Sequence, residues 1–180
     1  MKLLLDTCVL YPTVMREMLL GLADTGAYTP LWSDRLLEEW ARTAARHGGA
    51  VDATFARGEI AGLAVDFPNA NQPADHALEG RLWLPDGGDI HVLATAITSR
   101  ADAIMTLNLR DFPARELAGH GVAALHPDAA LYQLWLAHPD RLGAVVAGVH
   151  ATAMRLSGDA MTLRALLKRA KLSRLAKALG

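Results

Sequence analysis

Residues 1–12, MKLLLDTCVLYP, decide the fold class, because they join a short apolar run to an acid. The segment Lys2–Leu5 contains three consecutive leucines, and continuous apolar character is typical of a strand buried on both faces of a parallel sheet. Asp6 follows this strand directly. It is either a turn residue or a carboxylate delivered to the carboxyl edge of the sheet, where ligands bind in open α/β folds.

Two later segments have the same continuous apolar character as the first. Ala103–Met105 and residues 122–125 each predict a buried strand. Helical sequence lies between the strands: one helix is predicted over residues 13–23, and a second begins after the N-cap residue Ser33. Because strands and helices alternate, the predicted fold class is α/β, a three-layer α/β/α sandwich with a central parallel sheet.

The middle of the chain carries weaker signals. The second helix is expected to end at Gly48 and Gly49, since glycine is common just beyond a helix. Residues 51–84 predict one or two short helices and then a loop.

The chain from Pro127 onward is predicted to be entirely helical, with helices near 128–137, 141–154 and 159–179. The predicted organisation is a domain of residues 1–126 and a helical extension of residues 127–180 that packs on it. The last helix is amphipathic and needs a surface for its apolar stripe. That stripe comprises Leu163, Leu166, Leu167, Ala170, Leu172, Leu175, Ala176 and Leu179.

Composition excludes several classes of protein. No apolar stretch approaches the ~20 residues that a membrane-spanning helix needs, and Asp6 interrupts the first leucines well short of a secretory signal. Cys8 is the single cysteine, so the chain has no internal disulfide. We therefore predict a cytoplasmic protein with no membrane association.

The net charge of −1 hides a strong asymmetry. Residues 1–149 contain 18 acids against 11 Lys and Arg, a net charge of −7, whereas residues 150–180 contain one acid, Asp159, against seven, a net charge of +6. A basic tail has two interpretations of different class. It binds nucleic acid through Arg164, Lys168, Lys171 and Arg174, or its apolar stripe receives a partner helix with the charges at the rim.

Acids occur where the predicted topology would bring them together. Asp6 ends the first strand, Asp89 lies in the loop PDGGD before a helix, and Asp111 follows the strand at residues 103–105 together with Asn108. On the second helix, only one of Glu38 and Glu39 can point inward, given the helical spacing of their neighbours. Clustered carboxylates repel one another and need a counterion, for which Mg²⁺ or Mn²⁺ is chemically suited. The pattern predicts metal-dependent phosphodiester hydrolysis.

Each acid also has a structural explanation. Asp6 and Asp111 can be turn residues, the second before Pro113, and Asp89 can cap the helix that follows it. Glu38 and Glu39 can simply be solvated. The recurrence of acids at strand ends, rather than any one of them, favours a site.

Four segments together resemble the PIN-domain ribonucleases, in particular the toxin subunits of bacterial VapBC toxin–antitoxin pairs. The segments are LLLDTCVLYP, WSDRLLEEW, GGDIHVLATAI and IMTLNLRDF, and they occur in the order found in that family. The resemblance implies an α/β/α sandwich with an acidic pocket that binds Mg²⁺ or Mn²⁺. It also implies an RNA substrate, an antitoxin that holds the toxin inactive, and a homodimer.

By motif match, the resemblance makes Asp6, Glu39 and Asp89 metal ligands and catalytic residues. Asp111 would be the fourth catalytic acid, in the stretch from Thr106 that includes Asn108. Thr7 would orient Asp6 or the attacking water.

Two further side chains near the predicted site are assigned to the substrate or to support of the acids. Arg110 could contact an RNA phosphate, and His91 packs within the site or faces the substrate rather than acting as general base. Two residues depart from the family. Cys8 replaces the usual Asn, so a supporting hydrogen bond is expected to be lost, and Asn108 occupies a position where relatives often carry Asp.

The function predicted is a metal-dependent endoribonuclease, the toxin of a toxin–antitoxin pair, that cuts structured RNA such as tRNA. A haloacid-dehalogenase-type phosphatase is excluded, since it needs a second Asp where this chain has Cys8. The alternative that stays open is a PIN-like module that binds RNA or protein without turnover.

Overall fold

The computed structural model describes residues 1–158 and 160–180, and within them it contains one five-stranded sheet. All neighbouring strands are parallel, in the order β3-β2-β1-β4-β5, so the predicted α/β fold with a central parallel sheet is confirmed. The strands are β1 (Lys2–Leu5), β2 (Thr29–Ser33), β3 (Asn71–Gln72), β4 (Ala103–Met105) and β5 (Ala123–Leu125).

Helices and a short 3₁₀ turn (Gly87–Asp89) connect the strands and continue to the end of the chain. The helices are α1 (Thr7–Leu10), α2 (Thr13–Asp24), α3 (Asp34–Asp66), α4 (His76–Glu79), α5 (Ile90–Thr98), α6 (Ala114–Ala118), α7 (Pro127–Ala137), α8 (Pro139–Ser157), α9 (Leu163–Arg169) and α10 (Ser173–Leu179). No helix of the described residues is both long and apolar enough to cross a bilayer.

Strand β2 places the buried residues Leu31 and Trp32 beside β1, and sequence analysis did not predict it. Its second residue is Pro30, which lacks an N–H and therefore argues against an internal strand. The strand nevertheless lies between β1 and β3, with Pro30 opposite Leu3. The two-residue strand β3 was also missed, because so short a strand leaves no periodic signal.

Helix α3 begins as predicted and extends farther than predicted. The Ser33 hydroxyl accepts a hydrogen bond from the Leu36 N–H and caps the helix. At Gly49 the backbone is non-helical, with φ of +74°, a conformation that glycine adopts without steric cost. Helical structure resumes beyond this kink and continues to Asp66, so the predicted end at Gly48 and Gly49 is an interruption.

The chain divides into two compact units. The first comprises residues 1–11 and 28–125 and contains the sheet; the second comprises residues 12–27 and 126–180 and is helical. In the second unit α2 contacts α8, and α7 contacts α8 and α10. The proposed domain boundary at residue 126 stays a prediction.

The basic C-terminal segment forms two helices rather than the single predicted one. They are separated at Lys171, whose φ is +60°. The predicted start at Asp159 lies outside the described residues. The central part of the apolar stripe is buried: the exposed fractions of Leu167, Leu172 and Leu175 are all 0%. Leu166 and Ala176 are buried with them.

Candidate active site

Asp6 stands at the carboxyl end of the central strand β1. Its N–H donates to the Met105 carbonyl at 3.1 Å, so sheet pairing with β4 continues through this residue. Asp6 precedes α1, yet its side chain makes no capping hydrogen bond to that helix. Instead Oδ2 accepts hydrogen bonds from the Thr106 hydroxyl at 2.7 Å and from the Cys8 thiol at 3.0 Å.

Cys8 and Thr106 support Asp6 from two different segments. The Cys8 sulfur also accepts a hydrogen bond from the Leu107 N–H at 3.1 Å, and the Thr106 oxygen accepts one from the Asn108 N–H at 3.0 Å. Burial, and then the charge of Asp6, raise the pKa of the Cys8 thiol to about 12. The expectation that Cys8 leaves a supporting hydrogen bond missing is therefore wrong, because the thiol donates to Asp6 and accepts from Leu107.

Glu39 faces Thr7 from helix α3. The Thr7 hydroxyl lies 3.1 Å from Glu39 Oε2 and also 3.1 Å from the Leu36 carbonyl oxygen. The neighbouring Glu38 points elsewhere and pairs with Arg42 and Arg57, each at 3.1 Å. Of the two glutamates, only Glu39 thus contacts Thr7, the residue that follows Asp6.

The side chains of His91 and Arg35 lie beside the other oxygen of Glu39. His91 Nε2 lies 3.0 Å from Glu39 Oε1, a close contact that is not aligned as a hydrogen bond, and Arg35 Nε lies 3.5 Å from the same oxygen. Burial raises the pKa of Glu39, but contacts with His91, Thr7 and Arg35 outweigh it and lower that pKa overall. Glu39 is therefore a carboxylate at neutral pH.

His91 itself is 3% exposed. Its Nδ1 has no hydrogen-bond partner among the described residues. Arg35 continues the network, since its Nη1 lies 3.6 Å from Glu79 Oε2.

Asp89 is the carboxyl that the other acids perturb most. Burial, followed by the charges of Asp6, Asp86 and Asp111, raises its pKa to about 6, while His91 lowers it by a smaller amount. Asp89 precedes α5 but its side chain makes no capping bond. The capping residue is Asp86, whose Oδ1 accepts the Gly88 N–H at 2.8 Å. Three other aspartates, from three segments, are thus within electrostatic range of Asp89.

The segment after β4 brings Asp111 near Asp89. The Asp111 N–H bonds to the Asn108 carbonyl at 3.0 Å in a turn, and Asp111 is half-buried near Asp89. The side chains of Asn108 and Arg110 are exposed. Thr106, rather than Asn108, is the residue of this segment that contacts Asp6.

The carboxylates fit a hard divalent cation by their chemistry, although the described residues contain no group of three His, Cys, Asp or Glu side chains close enough to hold one. The donors are carboxylate oxygens, which Mg²⁺ and Mn²⁺ prefer. The pKa of Asp89 is raised by burial first and then by the negative charges of its neighbours. A bound cation would remove that repulsion.

Three supporting residues were not assigned such roles from the sequence. Arg35 precedes Glu39 by one helical turn, which is the spacing of an ion pair. The capping role of Asp86 in PDGGD was not predicted, although an Asp two residues before a glycine N–H is a common turn signal. Thr106 carried no signal of its own, because its contact with Asp6 depends on strand order.

Comparison with known proteins identifies the family. The PIN domain family model matches residues 2–110, more than half of the chain and the whole candidate site except Asp111. A Mycobacterium tuberculosis protein named "Putative ribonuclease VapC50" is 39% identical over 61 residues, 34% of this chain. The matched region spans only 36% of that relative's length. No solved structure matches. The chain therefore belongs to the PIN domain family.

Proposed function

We propose that this protein is a Mg²⁺- or Mn²⁺-dependent endoribonuclease, the toxin of a toxin–antitoxin pair, acting on structured RNA such as tRNA. One observation carries the proposal. Asp6, Glu39 and Asp89 come from three distant segments, yet Glu39 contacts Thr7, the residue next to Asp6, and Asp89 lies within electrostatic range of Asp6. The similarity to a protein named as a VapC ribonuclease supports the substrate class.

Asp6, Glu39 and Asp89 would hold the metal, with Asp111 as the fourth acid. When bound, the metal supplies charge neutralisation at the phosphate and a lowered pKa for an attacking water. The chain's own residues prepare the site. Thr106 and Cys8 fix the Asp6 carboxylate, while Thr7 contacts one oxygen of Glu39 and His91 contacts the other.

The remaining parts of the proposal concern the substrate and partners. Arg110 is exposed beside Asp111 and is suited to an RNA phosphate, with Asn108 next to it. The catalytic domain would comprise residues 1–126, and a cognate antitoxin and a second copy of the chain would be its partners.

A second candidate function is binding without turnover. It is favoured by the exposed Asn108, where relatives often carry Asp, and by the absence of a compact metal cluster among the described residues. In that case RNA or protein would bind at the same sheet edge.

RNA cleavage by the purified chain tests the proposal directly. Wild type, Asp6→Asn and the exposed control Asp66→Asn are incubated with tRNA in Mg²⁺, Mn²⁺ or EDTA. We expect discrete fragments from wild type and Asp66→Asn, and none from Asp6→Asn or in EDTA. Intact RNA with wild type in every metal would contradict the enzyme and favour the binding module.

A further inference from the structure

The two C-terminal helices carry a dense set of exposed cations. Among residues 160–180, all of which the structure describes, every Lys and Arg is exposed and there is no acid. The cations are Arg164, Lys168, Arg169, Lys171, Arg174 and Lys177.

The apolar and basic residues lie on opposite sides of each helix. In α9, Leu166 and Leu167 are buried while Lys168 and Arg169 are exposed. At about 100° per residue, the direction of the cations is opposite to that of the leucines. In α10, Leu175 and Ala176 are buried and Arg174 and Lys177 face the other way.

This arrangement argues against the interpretation in which the apolar stripe of the tail receives a partner helix. An apolar stripe can receive a partner helix only if it is free, and the central residues of this stripe are already buried. The residues between 160 and 180 include no large exposed apolar side chain. A stable protein interface needs an apolar centre within its polar rim, which this surface lacks.

Five of these cations also have no anionic side-chain partner among the described residues. No salt bridge joins Lys168, Arg169, Lys171, Arg174 or Lys177 to any acid of the described residues. Arginines of the first unit differ: Arg35, Arg42 and Arg57 each contact a glutamate. Like charges held together without acids repel one another, and a polyanion relieves that repulsion.

A short turn keeps the two helices together. The Leu172 N–H donates to the Leu167 carbonyl at 2.9 Å, and Arg164 Nη1 lies 3.4 Å from the Gly180 carbonyl oxygen, so the end of α10 returns to the start of α9. The cations are therefore presented by one helical hairpin. We call the exposed side formed by Lys168, Arg169, Lys171, Arg174 and Lys177 the basic hairpin face.

We infer that the basic hairpin face binds the phosphate backbone of RNA. The inference rests on the proposed function for its substrate class, and on charge complementarity for the site. Each cation can contact a phosphate and release a counterion, so binding is electrostatic and depends steeply on salt. Residues 160–180 contain no aromatic residue that could stack on bases. This contact therefore recognises the charge of the phosphates rather than the base sequence of the RNA.

The role of this face differs from that of the acidic pocket. The acids around Asp6 repel RNA when no metal is bound, whereas the hairpin attracts it under all metal conditions. RNA binding measured in EDTA therefore reports the hairpin and not the metal site.

Fluorescence anisotropy of a fluorescein-labelled tRNA transcript in EDTA, over a range of salt concentrations, tests the inference. Lys168→Gln/Arg174→Gln is compared with Arg81→Gln/Arg115→Gln, which removes the same charge from exposed residues of the first unit. We expect the hairpin variant to bind roughly tenfold more weakly, with a salt slope shallower by about 1–2. The control keeps wild-type affinity.

Charge-preserving exchange completes the design. Lys168→Arg/Arg174→Lys keeps both charges and should bind as wild type does, and circular dichroism of each variant verifies folding. If wild type and the Gln variant bound RNA with equal affinity and equal salt slope, the inference would be overturned. The basic hairpin face would then be a candidate binding surface for an acidic protein.

The same variants separate this inference from the proposed function. If the chain cleaves tRNA while the Gln variant binds RNA normally, the hairpin inference fails and the ribonuclease stands. If wild type binds RNA through the hairpin but never cleaves it, the inference stands and the catalytic proposal fails.

Discussion

The Thr106 hydroxyl donates a hydrogen bond of 2.7 Å to Asp6 Oδ2 across 100 residues of sequence. The contact follows from strand order, since β1 pairs with β4 and places Leu5 opposite Met105. Asp6 follows Leu5 and Thr106 follows Met105, so the two residues lie side by side at the carboxyl edge of the sheet. Because the same hydroxyl accepts the Asn108 N–H, it ties the acid to the loop after β4.

Replacing Thr106 by Val tests this connection, because Val has nearly the same shape and no hydroxyl. Thr106 is fully buried, so the loss leaves a carboxylate oxygen and an N–H short of one partner each. We expect a loss of about 1–3 kcal/mol in the free energy of unfolding by urea, together with weaker RNA cleavage. Thr106→Ser keeps the hydroxyl and should retain most of both. Equal behaviour of the two variants would contradict the role of the hydrogen bond.

Cys8 is expected to be chemically inert in the folded protein. Its pKa of about 12 leaves almost no thiolate at neutral pH, and the thiolate is the reactive form. A thiol reagent such as dithionitrobenzoate, at roughly pH 8, should label the native chain much more slowly than the chain in guanidinium. Labelling at the same rate in both states would show that the thiol is not held between Asp6 and Leu107.

The sequence predicted the elements whose signals are local. Consecutive apolar residues marked β1, β4 and β5, and the N-cap Ser33 marked the start of α3. The strand-end rule placed Asp6 at the carboxyl edge of the sheet, and helical spacing required that only one of Glu38 and Glu39 face inward.

The parts that were missed depend on contacts between distant residues. Strand β2 contains Pro30 and is held by its neighbours despite weak strand propensity. One contact of Cys8 is of this kind, because the Leu107 N–H reaches its sulfur only through the β1–β4 pairing. The division of the last helix at Lys171 needed the tertiary packing of Leu172, since neither proline nor glycine marks the break.

The adjacent residues Glu38 and Glu39 provide a matched pair of charge-removing variants. Glu39→Gln removes the carboxylate that Thr7 and His91 hold, so we expect tRNA cleavage to fall at least about a hundredfold. Glu38→Gln removes only surface pairs with Arg42 and Arg57 and should cleave as wild type does. Initial rates at saturating Mn²⁺ measure the difference. A similar loss in both variants would mean that Glu39 has no special role.

Asp89 makes the metal-free protein less stable as the pH rises. Its folded pKa is about 6, above the ordinary 3.8, so the folded state binds more protons than the unfolded state between these values. Stability present below about pH 4 is therefore lost as the pH rises through about 6. After allowance for solvent screening we expect a loss of about 1 kcal/mol.

Asp89→Asn should reverse this behaviour, because it removes the charge that Asp6, Asp86 and Asp111 oppose. In EDTA near pH 7.5 the variant should melt at a higher temperature than wild type, and Mn²⁺ should raise the melting temperature of wild type only. Thermal melts with and without Mn²⁺ provide both comparisons. A variant that is less stable in EDTA, or that gains equally from Mn²⁺, would contradict the assignment.

Asp128 should determine whether α10 forms. Its carboxylate accepts the N–H groups of Arg174, at 2.9 and 3.1 Å, and of Leu175, at 3.1 Å, although the residue that precedes α10 is Leu172, which cannot cap it. Asp128 is 8% exposed, so these charge-assisted bonds are shielded from water. We expect Asp128→Ala to lower the free energy of unfolding by about 2–3 kcal/mol.

Amide hydrogen exchange separates this local effect from a general loss of stability. In Asp128→Ala the amides of Arg174 and Leu175 should lose protection before those of the sheet, because their acceptor is gone. The control Asp140→Ala, at the exposed start of α8, should cost about 0.5 kcal/mol or less and leave exchange in α10 unchanged. If α10 kept its protection in Asp128→Ala, the packing of Leu175 and Ala176 would be sufficient to form the helix. RNA binding by the hairpin would then survive the substitution.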